Sequence, residues 1–262
     1  FEKADASIVN LETPLTDAQK RSNKKFSFKG RPEYANILKY GGINMVNLSN
    51  NHTNDYGEEG MSDTMTALDK NNISYFYEGN IIYKTYNGIN VAFAAYKGWS
   101  IDKKNIIEKE LKQAAEKADI IIVSFHWGDE GKYIPNSTQI KLARSAIDNG
   151  ASLVVGHHPH VIQGIEKYKG RYIVYSLGNF CFGGNLNPSD KDTFIFQNRF
   201  IIDRQTKNII DSKPNIIPCS ISSVPTRNNY QPIPLSNGEA DRVLHKIYEY
   251  SKPLEYGIKP DL

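Results

Sequence analysis

Five of the six histidines fall in three short segments, at His52, at His126 and at His157, His158 and His160, and each segment follows a run of apolar residues. A fourth apolar run ends in Asn10-Leu11-Glu12, and His52 is preceded by Asn50 and Asn51. Imidazole nitrogens beside one carboxylate and one amide oxygen suit Zn, Fe or Mn, whereas calcium prefers an all-oxygen shell. Ions of that kind activate water for attack on a phosphoryl or carbonyl group, so hydrolysis is the chemistry these residue types point to. Any one of the histidines alone reads more simply as a polar surface or capped core residue. Their common position behind strand-like runs is the informative feature, and only His245 lies elsewhere.

His158-Pro159-His160 is the sharpest element. Alternate residues of an extended segment point the same way, and Pro159 prevents a helix, so two imidazoles on one side can serve one metal or a metal pair. His157 is expected to point away from them. Glu130 and Glu166 follow these segments and read first as solvated glutamates, with contact to substrate as the alternative. Asn179, with Gly178, Gly183 and Gly184, marks either a turn whose backbone approaches the site or a plain hairpin connection. Trp127 lines a pocket wall or fills core.

These segments need a scaffold that collects them, and the apolar pattern supplies one. Strands are expected over residues 6–11, 45–48, 73–77, 120–123 and 152–155, alternating with helices over 32–41, 58–70, 103–117 and 137–149. The run Ile120-Ile121-Ile122-Val123 reads as a central strand buried on both faces. Asn87-Gly88 between two strand-like runs, 81–86 and 89–96, predicts a tight hairpin. Residues 161–175 and 193–217 predict a second, largely antiparallel sheet, and a last helix is expected over 239–250. In open α/β sheets ligands bind beyond the carboxyl ends of the strands, so the four polar loops are expected to converge.

The 262 residues are read as one domain, with 23% charged and 39% hydrophobic residues, which suits a folded globular protein. A net charge of +3 from scattered Lys and Arg gives no basic stripe, so nucleic acid is not expected as a partner. Cys181 and Cys219 lack a zinc-ligand spacing and read as two buried thiols, with a disulfide as the alternative.

The segments Val9-Asn10-Leu11-Glu12-Thr13-Pro14, Asn50-Asn51-His52-Thr53-Asn54-Asp55-Tyr56-Gly57, His126-Trp127-Gly128, Gly156-His157-His158-Pro159-His160-Val161 with Gln163, and Tyr175-Ser176-Leu177-Gly178-Asn179-Phe180 resemble, in order, the motifs of the CapA family of poly-γ-glutamate capsule biosynthesis proteins. That resemblance implies kinship with the calcineurin-like metallophosphoesterases and an α/β fold, a four-layer αββα sandwich of two mixed sheets flanked by helices. It also implies a pair of divalent ions, Zn, Mn or Fe. Glu12 would bridge the two, Asn51 with His126 and His158 would bind the second, and His160 the first. His52 would face the substrate, oriented by Asp55. The family's opening strand with its Gly-Asp motif has no counterpart before Asp5, so an N-terminal strand is expected to be missing. The implied substrate is a phosphoester or an amide of an anionic polymer such as poly-γ-glutamate. The alternative is a non-catalytic, polymer-binding component working with membrane-bound capsule synthesis and export proteins. The implied location is the outer face of the bacterial membrane, held by an N-terminal segment outside this chain.

Overall fold

Every position of Met45–Asn47 (β2) is buried, and a strand so covered needs a neighbour on each side. Ile8–Asn10 (β1) and Ser74–Phe76 (β3) provide them, both parallel, with Val9 and Tyr75 aligned on Val46. These strands belong to the first of two compact units, Phe1–Lys97 and the part from Gly98 onward, in a computed structural model that describes residues 1–260.

Helices connect the parallel strands. Pro32 opens a 3-10 turn, Pro32–Tyr34, which runs into Ala35–Tyr40 (α1). The sequence pattern predicts Tyr34, Ile37 and Leu38 as the inward stripe, but Tyr34 and Ile37 are exposed, and Ala35 and Leu38 pack inward. A turn of three residues instead of 3.6 rotates the face that follows it, which accounts for the difference. Gly57–Lys70 (α2) behaves as expected, with Leu68 in the core and Met61 and Met65 packed against it. The hairpin Ile82–Tyr86 (β4) and Ile89–Gly98 (β5) closes through Asn87 and Gly88 at φ 52° and 82°. Positive φ at both positions is what a two-residue turn matched to strand twist requires.

In the second unit, Ile120–Trp127 (β6) is buried at all eight positions, longer than the four-residue run the sequence predicts. It pairs in parallel with Leu153–His157 (β7), which pairs in parallel with Arg171–Val174 (β9), and Ile165–Tyr168 (β8) closes the edge antiparallel to β9. Residues 161–175 therefore extend this mixed sheet and do not join a second one. Lys169-Gly170, at φ 48° and 76°, folds β8 directly back onto β9, whose apolar residues then fit beside β7. The antiparallel sheet is confined to Asp192–Ile202 (β10), Ile209–Ser220 (β11) and Ile233–Pro234 (β12).

Lys104–Ala115 (α3), Ser137–Asp148 (α4) and Asn237–Ser251 (α5) complete the unit. The start of α4 is set by a capping box: the Asn136 side chain accepts from the Thr138 and Gln139 amides, and Gln139 accepts in return from the Asn136 amide. The α/β class expected from the sequence is the class observed. Cys181 and Cys219 are unpaired, and Cys219 is buried. Cys181 is exposed, against expectation, because it sits in the irregular 180–191 connection and not in a strand.

Candidate metal centre

His126 is the seventh residue of β6 and fully buried, so it reaches the end of the sheet from within a strand and not from a loop. Its register partner on β7 is His157, whose pKa burial pushes down to about 4, keeping that ring neutral. Past His157 the backbone turns sharply, with His158 at φ 99° and His160 at φ 59°. Left-handed backbone costs non-glycine residues roughly 1–3 kcal/mol each and gathers at functional sites. His158 and His160 are therefore not the alternate residues of an extended segment that the sequence pattern predicts. Two left-handed residues around Pro159, not strand alternation, bring the rings to a centroid separation of 5.7 Å. His126 and His158 lie 4.9 Å apart by the same measure.

Trp99 closes one side of this cluster, presenting T-shaped contacts to His126 at 5.5 Å and to His158 at 4.7 Å. On another side lies Glu130. One of its carboxylate oxygens, a nitrogen of His158 and a nitrogen of His160 all fall within 4.8 Å of one another. The loop bearing Glu130 is pinned to the histidine loop, since the Gly131 amide donates to the Pro159 carbonyl at 2.8 Å. Buried Gln163 donates to the Lys132 carbonyl at 2.7 Å and accepts from Gln139 at 2.9 Å. Gly128 begins this loop at φ 80°, and a Cβ there would stand 2.7 Å from the Gln139 side chain, so only glycine serves.

Asn179 contributes its side chain and not its backbone: its Oδ1 lies 2.8 Å from His160 Nδ1 and its Nδ2 donates to the His160 carbonyl at 3.1 Å. With Nδ1 as the donor, the lone pair of the neutral ring is on Nε2, the arrangement outer partners of metal-bound histidines impose. The donors here, imidazoles and a carboxylate on pinned loops, fit a Zn, Mn or Fe ion.

In the first unit, the ends of β1 and β2 are tied together. Asn10 donates to Glu12 Oε2 at 3.0 Å, and Asn50 donates to the Leu11 carbonyl at 2.9 Å. Asn51 follows directly, its carbonyl accepting from Lys24 Nζ at 2.6 Å. His52 packs edge-on against Phe28 at 4.6 Å, and its Nδ1 lies 2.7 Å from Asp55 Oδ2. Burial alone would raise the Asp55 pKa, but Lys24, the Phe28 amide and His52 together hold it below the ordinary value. An ionised Asp55 fixes the His52 ring with Nδ1 as donor.

Three of the predicted metal residues, His126, His158 and His160, thus meet in the second unit, while Glu12, Asn51 and the His52–Asp55 pair occupy adjoining strand ends of the first. Trp127 is core, stacked on Phe125 at 4.4 Å. Glu166 is buried, held by Arg144 at 2.6 Å and Tyr175 Oη at 2.7 Å, and serves structure. Sequence reasoning overlooked Trp99 and did not read Glu130 as a metal donor. The strand-end rule already applied to four runs would have found Trp99, which follows the run ending at Gly98.

Residues 1–184 match the profile of a family described as bacterial capsule synthesis protein PGA_cap. The PGA biosynthesis protein CapA of Bacillus subtilis is 34% identical over 206 residues, covering 70% of this chain and 54% of its own length. The capsule biosynthesis protein CapA of Bacillus anthracis is 33% identical over 211 residues, covering 70% of this chain and 51% of its own length. This chain therefore spans about half the length of those relatives. Among solved structures, a hypothetical protein from Thermus thermophilus aligns with TM-score 0.48 and 17% identity over 70% of this chain and 79% of that one.

Proposed function

Because this chain belongs to the bacterial capsule synthesis protein family, we propose that it is a metal-dependent hydrolase of capsule polymer synthesis, cleaving a phosphoester or an amide of an anionic polymer such as poly-γ-glutamate. The observation that carries the reading is the gathering of His126, His158 and His160 at one end of the mixed sheet, with His158 and His160 in strained backbone. In this reading the three histidines, with Glu12 and the Asn51 amide oxygen as the further donors that the family resemblance implies, would hold two divalent ions. Such a pair, when bound, supplies hydroxide near neutral pH and stabilises charge on the attacked group.

The remaining chemistry belongs to the protein. As the imidazolium, with its Nδ1–H held by Asp55, His52 gives its Nε2 proton to the leaving group and is left as the neutral ring. Lys24, which ties the Asn51 carbonyl to the Asp55 carboxylate, keeps the asparagine and the dyad in one arrangement. We place the protein at the outer face of the bacterial membrane, in the company of membrane-bound synthesis proteins; protease accessibility on intact cells tests that placement.

The deciding experiment combines metal analysis with turnover. The purified protein, reconstituted with Zn or Mn, is expected to hold transition metal and to hydrolyse a chromogenic phosphodiester or poly-γ-glutamate. His126→Ala with His158→Ala should abolish both. Less than one equivalent of metal after reconstitution would overturn the reading. Metal-loaded protein without hydrolysis, in cells whose capsule survives the double substitution, would leave a non-catalytic polymer-binding role.

A further inference from the structure

The carboxylate that the second unit brings to its histidines is Glu130, and no role in metal binding follows for it from the family motifs. We propose that Glu130, His158 and His160 form a metal site contained within the second unit, taking one Zn, Mn or Fe(II) ion. The inference rests on the reading that the histidine cluster binds metal and goes further by adding a ligand and assigning one ion to these three residues.

Four features argue for it. The three donor atoms already lie within 4.8 Å of one another. Ligands of a tetrahedral ion with bonds of about 2.1 Å stand about 3.4 Å apart, so closure takes little movement. Glu130 is exposed and can supply that movement by a rotamer change, while the histidines stay in place. The two loops cannot drift apart, because Gly131 is hydrogen-bonded to Pro159, between the two histidines, and Gln163 secures Lys132. His160 is held by Asn179 through Nδ1, as a ring that coordinates through Nε2 requires. Two imidazoles and one carboxylate on one side of an ion leave its other positions open to water or substrate, the arrangement of a catalytic rather than a structural site.

The test uses Zn content at equilibrium and quenching of tryptophan fluorescence by Co(II). Trp99 lies 4.7 Å from the His158 ring, and a Trp99→Phe control assigns the signal, since the only other tryptophan is Trp127. Glu130→Gln is expected to weaken metal binding at least tenfold and to lose one equivalent, with an unchanged circular dichroism spectrum. Glu12→Gln is expected to retain one equivalent and the quenching. A Glu130→Gln isotherm superimposable on the unsubstituted protein's would overturn the inference while leaving the histidine reading intact. So would loss of all metal in Glu12→Gln. No metal and no quenching in the unsubstituted protein would remove both.

Discussion

Asn179 and His52 show how single side chains divide the work in this protein. Asn179 touches His160 twice, at Nδ1 and at the carbonyl, so it sets both the tautomer and the position of a strained residue. Replacing it with alanine is expected to weaken metal affinity by about 10- to 100-fold, the usual cost of losing an outer partner, as isothermal titration would record. Asn179→Asp, which keeps an acceptor for Nδ1, should recover most of the loss. His52 has the opposite profile. Its ring is bound to Asp55 and Phe28, and His52→Ala should lower turnover by about 10²- to 10⁴-fold while the metal content stays that of the unsubstituted protein. A parallel loss of metal in His52→Ala would make it a ligand and not a proton donor.

At the scale of elements, the site depends on how closely β7 and β9 approach. Gly156 allows it: a Cβ there would stand 2.1 Å from the Tyr175 carbonyl and 2.4 Å from Trp127 Nε1, which itself donates to that carbonyl at 2.9 Å. Neither neighbour is the flexible end of a side chain. Gly156→Ala is therefore expected to destabilise the protein by about 3 kcal/mol, the upper part of the usual overpacking range, read as a fall in the urea midpoint at constant slope. Asn136→Ala, which removes the cap of α4, should cost about 1 kcal/mol in the same assay. The larger effect belongs to the glycine because backbone cannot move aside, whereas an uncapped helix end can still bond to water.

The second unit as a whole is clasped by charge where α5 meets the start of β10. Arg242 makes a two-pronged contact with Asp192, both bonds at 2.7 Å, and Lys246 bonds Asp190 at 2.6 Å and Asp192 at 3.0 Å. Burial pushes the Asp192 pKa up, but Arg242 and Lys246 outweigh it and hold the carboxyl below the ordinary 3.8. Above that value Asp192 is ionised in both folded and unfolded chains, and its ion pairs contribute in full. As the pH falls through the lowered native value the carboxylate protonates and the contribution is lost. Denaturation midpoints taken from pH 7 down to pH 3 should therefore drop steeply at the acid end. Asp192→Asn should lie lower at pH 7 and show a shallower acid limb; equal limbs would mean that the clasp adds nothing to stability.

Much of this was legible in the residues alone. Alternating apolar runs announced the α/β class, Asn87-Gly88 announced its hairpin, and the histidines behind successive strands marked the end of the sheet where they gather. Those signals are local: they depend on the period of a helix or strand and on what a given turn demands, and each is written within a few residues. Tertiary structure decided the rest. Whether Glu166 would meet solvent or Arg144, whether 165–174 would join β7 or another sheet, and whether Glu130 would face a histidine all turn on which distant segments become neighbours. Even the meeting of His158 and His160, residues two apart, required left-handed backbone that a loop adopts only when the packing around it holds it there.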